Sequence, residues 1–227
     1  NMSDHPGKEQ YPLSLLLDVF QSIQRKGIPF MLALTGLPTL FPKLVETRTF
    51  SARMFRVVFL DRLSDEASKE AISKPIDKAS CPVKLGDALV GTIVKASAGY
   101  PYFIQFICRE VYDVAFQKLD KGQELTVPMK DIVRKLDADF FAGRWAKASD
   151  RQRDLLRVIA GLENSDEEFT VHDVVEASKT IEKPFGASHV NQMLSSLGNA
   201  GLVYKNRHGR YSFAVPLFGQ FVLRQPR

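Results

Sequence analysis

Lys205, Arg207, His208 and Arg210 crowd cationic and hydrogen-bonding groups around one glycine, Gly209. Such side chains bind phosphate oxygens or enter a minor groove, because they combine charge with several N–H donors. Upstream, Ser188, His189, Asn191 and Gln192 occupy the early positions of a stretch with helical apolar spacing. Asn and Gln can pair bidentately with adenine, and Ser or His can contact phosphate or base edges. These eight residues are the candidate nucleic-acid contacts. No Arg or Lys occurs from Ala187 to Ala200, so a protein-facing or intramolecular surface is the other reading of the same residues.

Charge supports a phosphate partner. The net charge is only +5, yet residues 183–227 hold Lys183, Lys205, Arg207, Arg210, Arg224 and Arg227 and no acid. An acid-free section of this length predicts a positive surface, which favours a phosphate backbone.

Self-sufficient catalysis finds no support in the motifs. A P-loop needs G-x-x-x-x-G-K-[ST], so that backbone amides cradle phosphates and the lysine reaches them. The Gly7-Lys8 pair is followed by Glu9 and lacks the earlier glycine. Asp61 follows an apolar run and reads as a strand-end or capping residue. His5, His172, His189 and His208 lie in separate segments without metal-ligand spacing, so no metal site is expected. Cys81 and Cys108 are too few for a disulfide framework or a four-cysteine zinc site. No apolar run approaches the roughly 20 residues that span a bilayer, and no leader pattern opens the chain. With 44% hydrophobic and 25% charged residues, a cytoplasmic globular protein without membrane contact is expected.

The elements that must position these groups fall into three textures. Residues 1–10 read as a loop, and apolar residues from Leu13 to Ile23 recur at helical spacing before a Lys26-Gly27 stop. Residues 28–34 and 57–60 are short apolar runs that suit strands buried on both faces, with a short helix over 38–45 between them. Strand, helix and strand in that order predict part of a parallel α/β sheet. Helices are then expected over 64–72, 85–97, 101–119 and 129–145, with a charged turn at 118–124. From Ser149 the pattern is a capped helix, an acidic loop at 163–168, a helix capped by Thr170, and a helix capped by Ser188. Two short β segments, 202–204 and 211–214, close the series around the basic tip 205–210. Three helices and a basic-tipped hairpin follow the order of a winged helix-turn-helix. The fold class is therefore α/β plus all-α, with domains at 1–63, 64–146 and 147–227.

Several segments resemble a known family at specific positions. Met31-Leu-Ala-Leu-Thr-Gly-Leu-Pro-Thr-Leu resembles the sensor-1 strand and turn of AAA+/STAND-type P-loop ATPases. Ser51-Ala-Arg-Met-Phe-Arg-Val-Val-Phe-Leu-Asp-Arg-Leu-Ser is similar to their last core strand and lid entry. Ser97-Ala-Gly-Tyr-Pro-Tyr-Phe-Ile-Gln looks like the lid's G-x-P signature, and the ending from Phe213 to Arg224 resembles the close of a following winged helix. The match is piecewise but colinear from Pro12 to Arg224.

The resemblance implies a partial P-loop ATPase core, a helical lid and a winged helix, with Asn1 just past the Walker B acids. It implies either the C-terminal portion of an ATPase that uses ATP and Mg²⁺, the favoured reading, or a degenerate relative that cannot bind nucleotide alone. The missing N-terminal P-loop segment becomes a partner, and the ATPase core a surface for self-association. Thr35 falls at the sensor-1 position, where it would orient water or touch the γ-phosphate. Arg53, with Arg48 and Arg56 beside it, lies where relatives project an arginine finger. Gly99, Tyr100 and Pro101 would approach the nucleotide across the lid, while Arg109 lies too far along its helix for the lid arginine. The fragment alone is expected neither to bind ATP tightly nor to hydrolyse it. The alternatives are a stand-alone DNA-binding regulator and an interaction module without nucleotide chemistry.

Overall fold

The computed structural model describes residues 11–37, 39–121 and 127–226. Sequence readings that fall on residues 1–10, Pro38, 122–126 and Arg227 lie outside them. The described chain divides into two compact units, 1–60 and 61–227.

In the first unit, α1 (Tyr11–Arg25) forms where the apolar period predicts and ends at Gly27, whose φ of 69° fits the left-handed stop. Helices α2 (Leu40–Thr47) and α3 (Ser51–Met54) follow, the latter where the sequence suggested an approach to a strand. Leu17, Phe20 and Leu44 are buried, and Phe20 meets Phe30 and Phe55, each at 6.4 Å between ring centroids. Arg48 reaches α1 and donates to both oxygens of Asp18, at 3.0 and 2.8 Å. That pairing holds the Asp18 carboxyl below its ordinary range, the Arg48 hydrogen bond being the main cause.

The expected parallel sheet is not formed. Residues 28–34 and 57–60 carry no strand pairing among the described residues. Met31 is 85% exposed and Leu60 87%. The physical reason is that a strand is completed by its neighbours. An apolar run buried on both faces needs flanking strands for its N–H and C=O groups, and neither segment has one. Thr35 accordingly lies on an exposed, unpaired stretch rather than at a strand end.

The second unit is helical with one small sheet. α4 (Asp65–Lys78) starts at Ser64, whose hydroxyl accepts from the Ala67 N–H at 3.2 Å, and runs through Pro75. α5 (Asp87–Ser97), α6 (Pro101–Asp120) and α7 (Met129–Leu136) complete a four-helix group around Ile72, Ile93, Ile107, Val111 and Ile132. The helix expected over 129–145 is interrupted by a π turn, Asp137–Phe141, before α8 (Ala142–Trp145). The wider turn presents two adjacent aromatics differently. Phe141 stacks on Phe221 at 5.2 Å, while Phe140 lies 4.9 Å from Tyr102.

Phe103 and Phe141 belong to a second buried cluster that continues into α9 (Asp150–Ala160), α10 (Val171–Ser178) and α11 (Ala187–Asn199). An antiparallel pair follows, β1 (Val203–Arg207) and β2 (Arg210–Phe213). A final helix, α12 (Phe218–Arg224), packs on α9 and buries Phe218, Phe221 and Val222. Each fully buried Phe contributes about 1.5–3 kcal/mol relative to exposure. No described helix is long and apolar enough to cross a membrane.

Candidate nucleic-acid interface

Reciprocal caps fix the first two helices of this region. Ser149 accepts from the Gln152 N–H while the Gln152 side chain accepts from the Ser149 N–H. Thr170 and Asp173 repeat the arrangement. The Thr170 backbone N–H, foremost, holds the Asp173 carboxyl below its usual range.

The third helix begins differently from expectation. Its N-cap is Gly186, and Ser188 lies inside the first turn. The entry is set by Phe185, whose N–H donates to the Ser178 hydroxyl at 3.0 Å. The Arg151 guanidinium lies 3.6 Å from the Phe185 ring centroid and donates to the Lys183 and Pro184 carbonyls at 2.6 and 3.3 Å. One arginine from α9 therefore holds both the backbone and the ring that aim α11. Its role could not be read from sequence, because its partners are about thirty residues away.

Two of the four candidate readers on α11 are engaged locally. Asn191 donates to the Ala187 carbonyl at 3.0 Å, and the His189 ring sits 5.9 Å from Phe185. Ser188 and Gln192 are exposed and make no hydrogen bond among the described residues. Val190, Met193, Leu194 and Leu197 face the core, so all four candidates share the outward side.

The hairpin is longer than its sequence pattern suggested. Lys205, Arg207 and Arg210 belong to the strands, leaving His208 and Gly209 as the turn, with Gly209 at φ 73°. Arg207 stands directly opposite Arg210, with a register irregularity between Lys205 and Arg207. Like charges facing across a ladder repel. The offset comes from Glu168, which accepts from Arg207 at 3.1 and 2.8 Å and from the Asn206 amide. Glu168 reaches them because its neighbour Phe169 exchanges backbone hydrogen bonds with Tyr211, at 2.8 and 2.9 Å. The Arg207 contact, first among the causes, holds the Glu168 carboxyl below its ordinary range.

The basic tail is thus partly neutralised by acids from outside it. Arg207 is held by Glu168, and Arg224 by Asp137 at 2.8 and 2.6 Å. Lys205 and Arg210 are exposed and form no ion pair among the described residues.

The residues assigned to nucleotide chemistry are divided between the two units. Thr35 and the exposed Arg53 belong to the first unit, and Gly99, Tyr100 and Pro101 to the second. Gly99 has φ 76°, and a Cβ there would stand 2.3 Å from the Leu63 carbonyl oxygen. Leu63 also donates its N–H to the Gly99 carbonyl at 2.8 Å. The space over this glycine is filled by protein backbone. Tyr100 is half-buried, which pushes its hydroxyl pKa up, and Pro101 starts α6 on an exposed edge. Among the described residues no group of three or more His, Cys, Asp or Glu side chains could hold a metal ion.

Comparison with known families adds one finding. A family model described as a domain of unknown function (DUF8462) matches residues 138–222. The matched span begins within the π turn and ends in α12, taking in Phe140, Phe141 and Trp145 together with the three helices and the hairpin. No curated protein matches the chain.

Proposed function

We propose that residues 147–227 act as a winged helix-turn-helix that holds double-stranded DNA through its wing. One observation carries the reading: Lys205 and Arg210 stand exposed on the hairpin without a direct ion pair among the described residues, Arg210 interacting with Glu168 and Asp173 only at longer range. Glu168 offsets the repulsion at Arg207 and leaves Lys205 and Arg210 facing solvent, where a phosphate backbone would supply an anion at each step. In this reading the wing carries the affinity and Ser188 and Gln192 offer the few base-edge donors and acceptors. The module belongs to a cytoplasmic regulatory protein of the AAA+/STAND type, with residues 1–63 as part of its α/β core and 64–146 as its lid.

ATP and Mg²⁺ belong to the complete ATPase in this proposal. The residues present do not fit a phosphate cradle, because Gly99 is covered by Leu63 and Thr35 lies on an unpaired segment. The phosphate-holding loop would come from a further segment, and self-association would run through the completed core.

Anisotropy of a labelled duplex titrated with the full chain tests the DNA reading. Two or three phosphate contacts give a slope of log K against log salt of about −2 to −3. Replacing Lys205, Arg207 and Arg210 together by Ala is expected to abolish salt-dependent binding. Equal binding by that variant would overturn it. The rival, a protein-facing α11, is favoured by the local engagement of His189 and Asn191, and it predicts no salt-dependent duplex affinity.

A further inference from the structure

A concave site lies far along the chain from the wing, between α4, the 79–86 connection and α6. It is a cleft of about 320 Å³, at the small end of the range for small-molecule sites. Ile72 and Pro75 from α4, and Val83 and Leu85 from the connection, supply an apolar wall. From α6 come Gln105, Cys108, Arg109 and Tyr112, a helical stripe that puts Gln105 and Arg109 one turn apart on the same side.

The chemistry of that lining is asymmetric. Arg109 is its one charged side chain among the described residues, and it forms no ion pair among them. Three carboxylates of the neighbouring surface are taken, Asp77 by Lys84 at 3.2 Å, Glu70 by Lys74 at 2.6 Å and Glu110 by Lys135 at 2.8 Å, while the exposed Asp113, one turn along α6, makes no ion pair with Arg109. Burial pushes the Cys108 thiol up to about 11, so the cleft offers a neutral thiol and no nucleophile. Pro75 has no N–H to give the carbonyl of Ala71, one turn back on the same cleft wall. An apolar wall ending at one unpaired guanidinium suits a ligand with a compact apolar body and a single carboxylate. A phosphate would bring more charge than one arginine offsets, and a purely apolar molecule would leave Arg109 unused.

We propose that the cleft between α4 and α6 binds a small apolar monocarboxylate, its carboxylate held by Arg109 with Gln105 beside it and its body against Ile72, Pro75 and Val83. This site is independent of the DNA reading. The test is a titration of the full chain with 3-phenylpropanoate, followed residue by residue in amide correlation spectra. Saturable shifts centred on residues 71–85 and 105–112 are expected, with 3-phenylpropanamide binding about tenfold more weakly. Arg109→Gln should weaken the acid about tenfold and leave the amide unchanged. Acid and amide binding equally, shifts centred elsewhere, or no saturation by about 20 mM would each overturn the proposal. The acid–amide comparison uses the unaltered chain, so the test decides the matter even if the variant folds poorly.

Discussion

Glu168 decides how much of the wing's charge is available. Its carboxylate accepts from Arg207 Nε and Nη2 and from the Asn206 amide, so a phosphate competes with it for the Arg207 charge. Glu168→Gln keeps the shape and removes the charge. In the DNA-binding reading, that variant should bind duplex about three- to tenfold more tightly, with a salt slope steeper by about one contact. Anisotropy against salt measures both, and unchanged affinity with an unchanged slope would show that Arg207 does not face the duplex. The pH sign follows from the lowered carboxyl pKa. The pair is complete above the ordinary carboxylate value of 4.5 and is lost as pH falls through the lower native value. Carboxyl-carbon shifts against pH should place the Glu168 midpoint below 4.5, and Arg207→Gln should return it toward the ordinary range. The contact is exposed, so added salt shrinks the effect.

At the scale of elements, the turn between α5 and α6 is set by backbone packing rather than by a ligand. Ala98 and Gly99 both adopt positive φ, and the backbone at Leu63 closes on Gly99 by hydrogen bond and contact. Gly99→Ala would combine an unfavourable φ with a 2.3 Å approach to a backbone oxygen. Destabilisation by about 2 kcal/mol or more is expected, read from the urea midpoint, without any nucleotide present. Legibility in the sequence follows how local each cause is. α1, α5, α6, α9 and α10 were legible because their apolar periods, caps and glycine or proline stops are local. The G-x-P string was equally visible, but its packing against Leu63 is a contact across more than thirty residues. The π turn was hidden for a related reason: one extra residue per turn leaves the composition of a helix unchanged while redirecting Phe141 from its α position. In the candidate interface the outward face of α11 was legible from the spacing of Val190, Met193, Leu194 and Leu197. The pairing of Arg207 with Glu168 was not, because charge counts along a segment omit acids folded in from elsewhere.

Over the whole molecule, the two units differ in how completely they bury what their sequences offer. Residues 61–227 enclose two apolar clusters that together place Phe103, Ile107, Phe141, Leu155 and Phe218 almost wholly out of water. Residues 1–60 leave Phe30 59% exposed, Phe59 74% exposed and the whole 57–60 run in solvent. Contiguous exposed apolar residues of this kind mark a surface made to be covered. Beyond the Ile28 N–H, which donates to the Ile23 carbonyl at 3.4 Å, the two runs carry backbone groups with no ladder partner, so they lack the hydrogen bonds that slow amide exchange. Amides of residues 30–34 and 57–60 should therefore exchange within seconds at neutral pH, while those in the middle of α6, α9 and α11 persist for hours. Hydrogen exchange read by mass spectrometry on the full chain distinguishes the two populations. Slow exchange in both runs would mean that this chain completes a sheet by itself or with a second copy, and would remove the case for a strand supplied by another segment. Fast exchange that becomes slow only when a P-loop-bearing segment is added would tie these runs to the ATPase core and give the first unit the neighbours its apolar runs require.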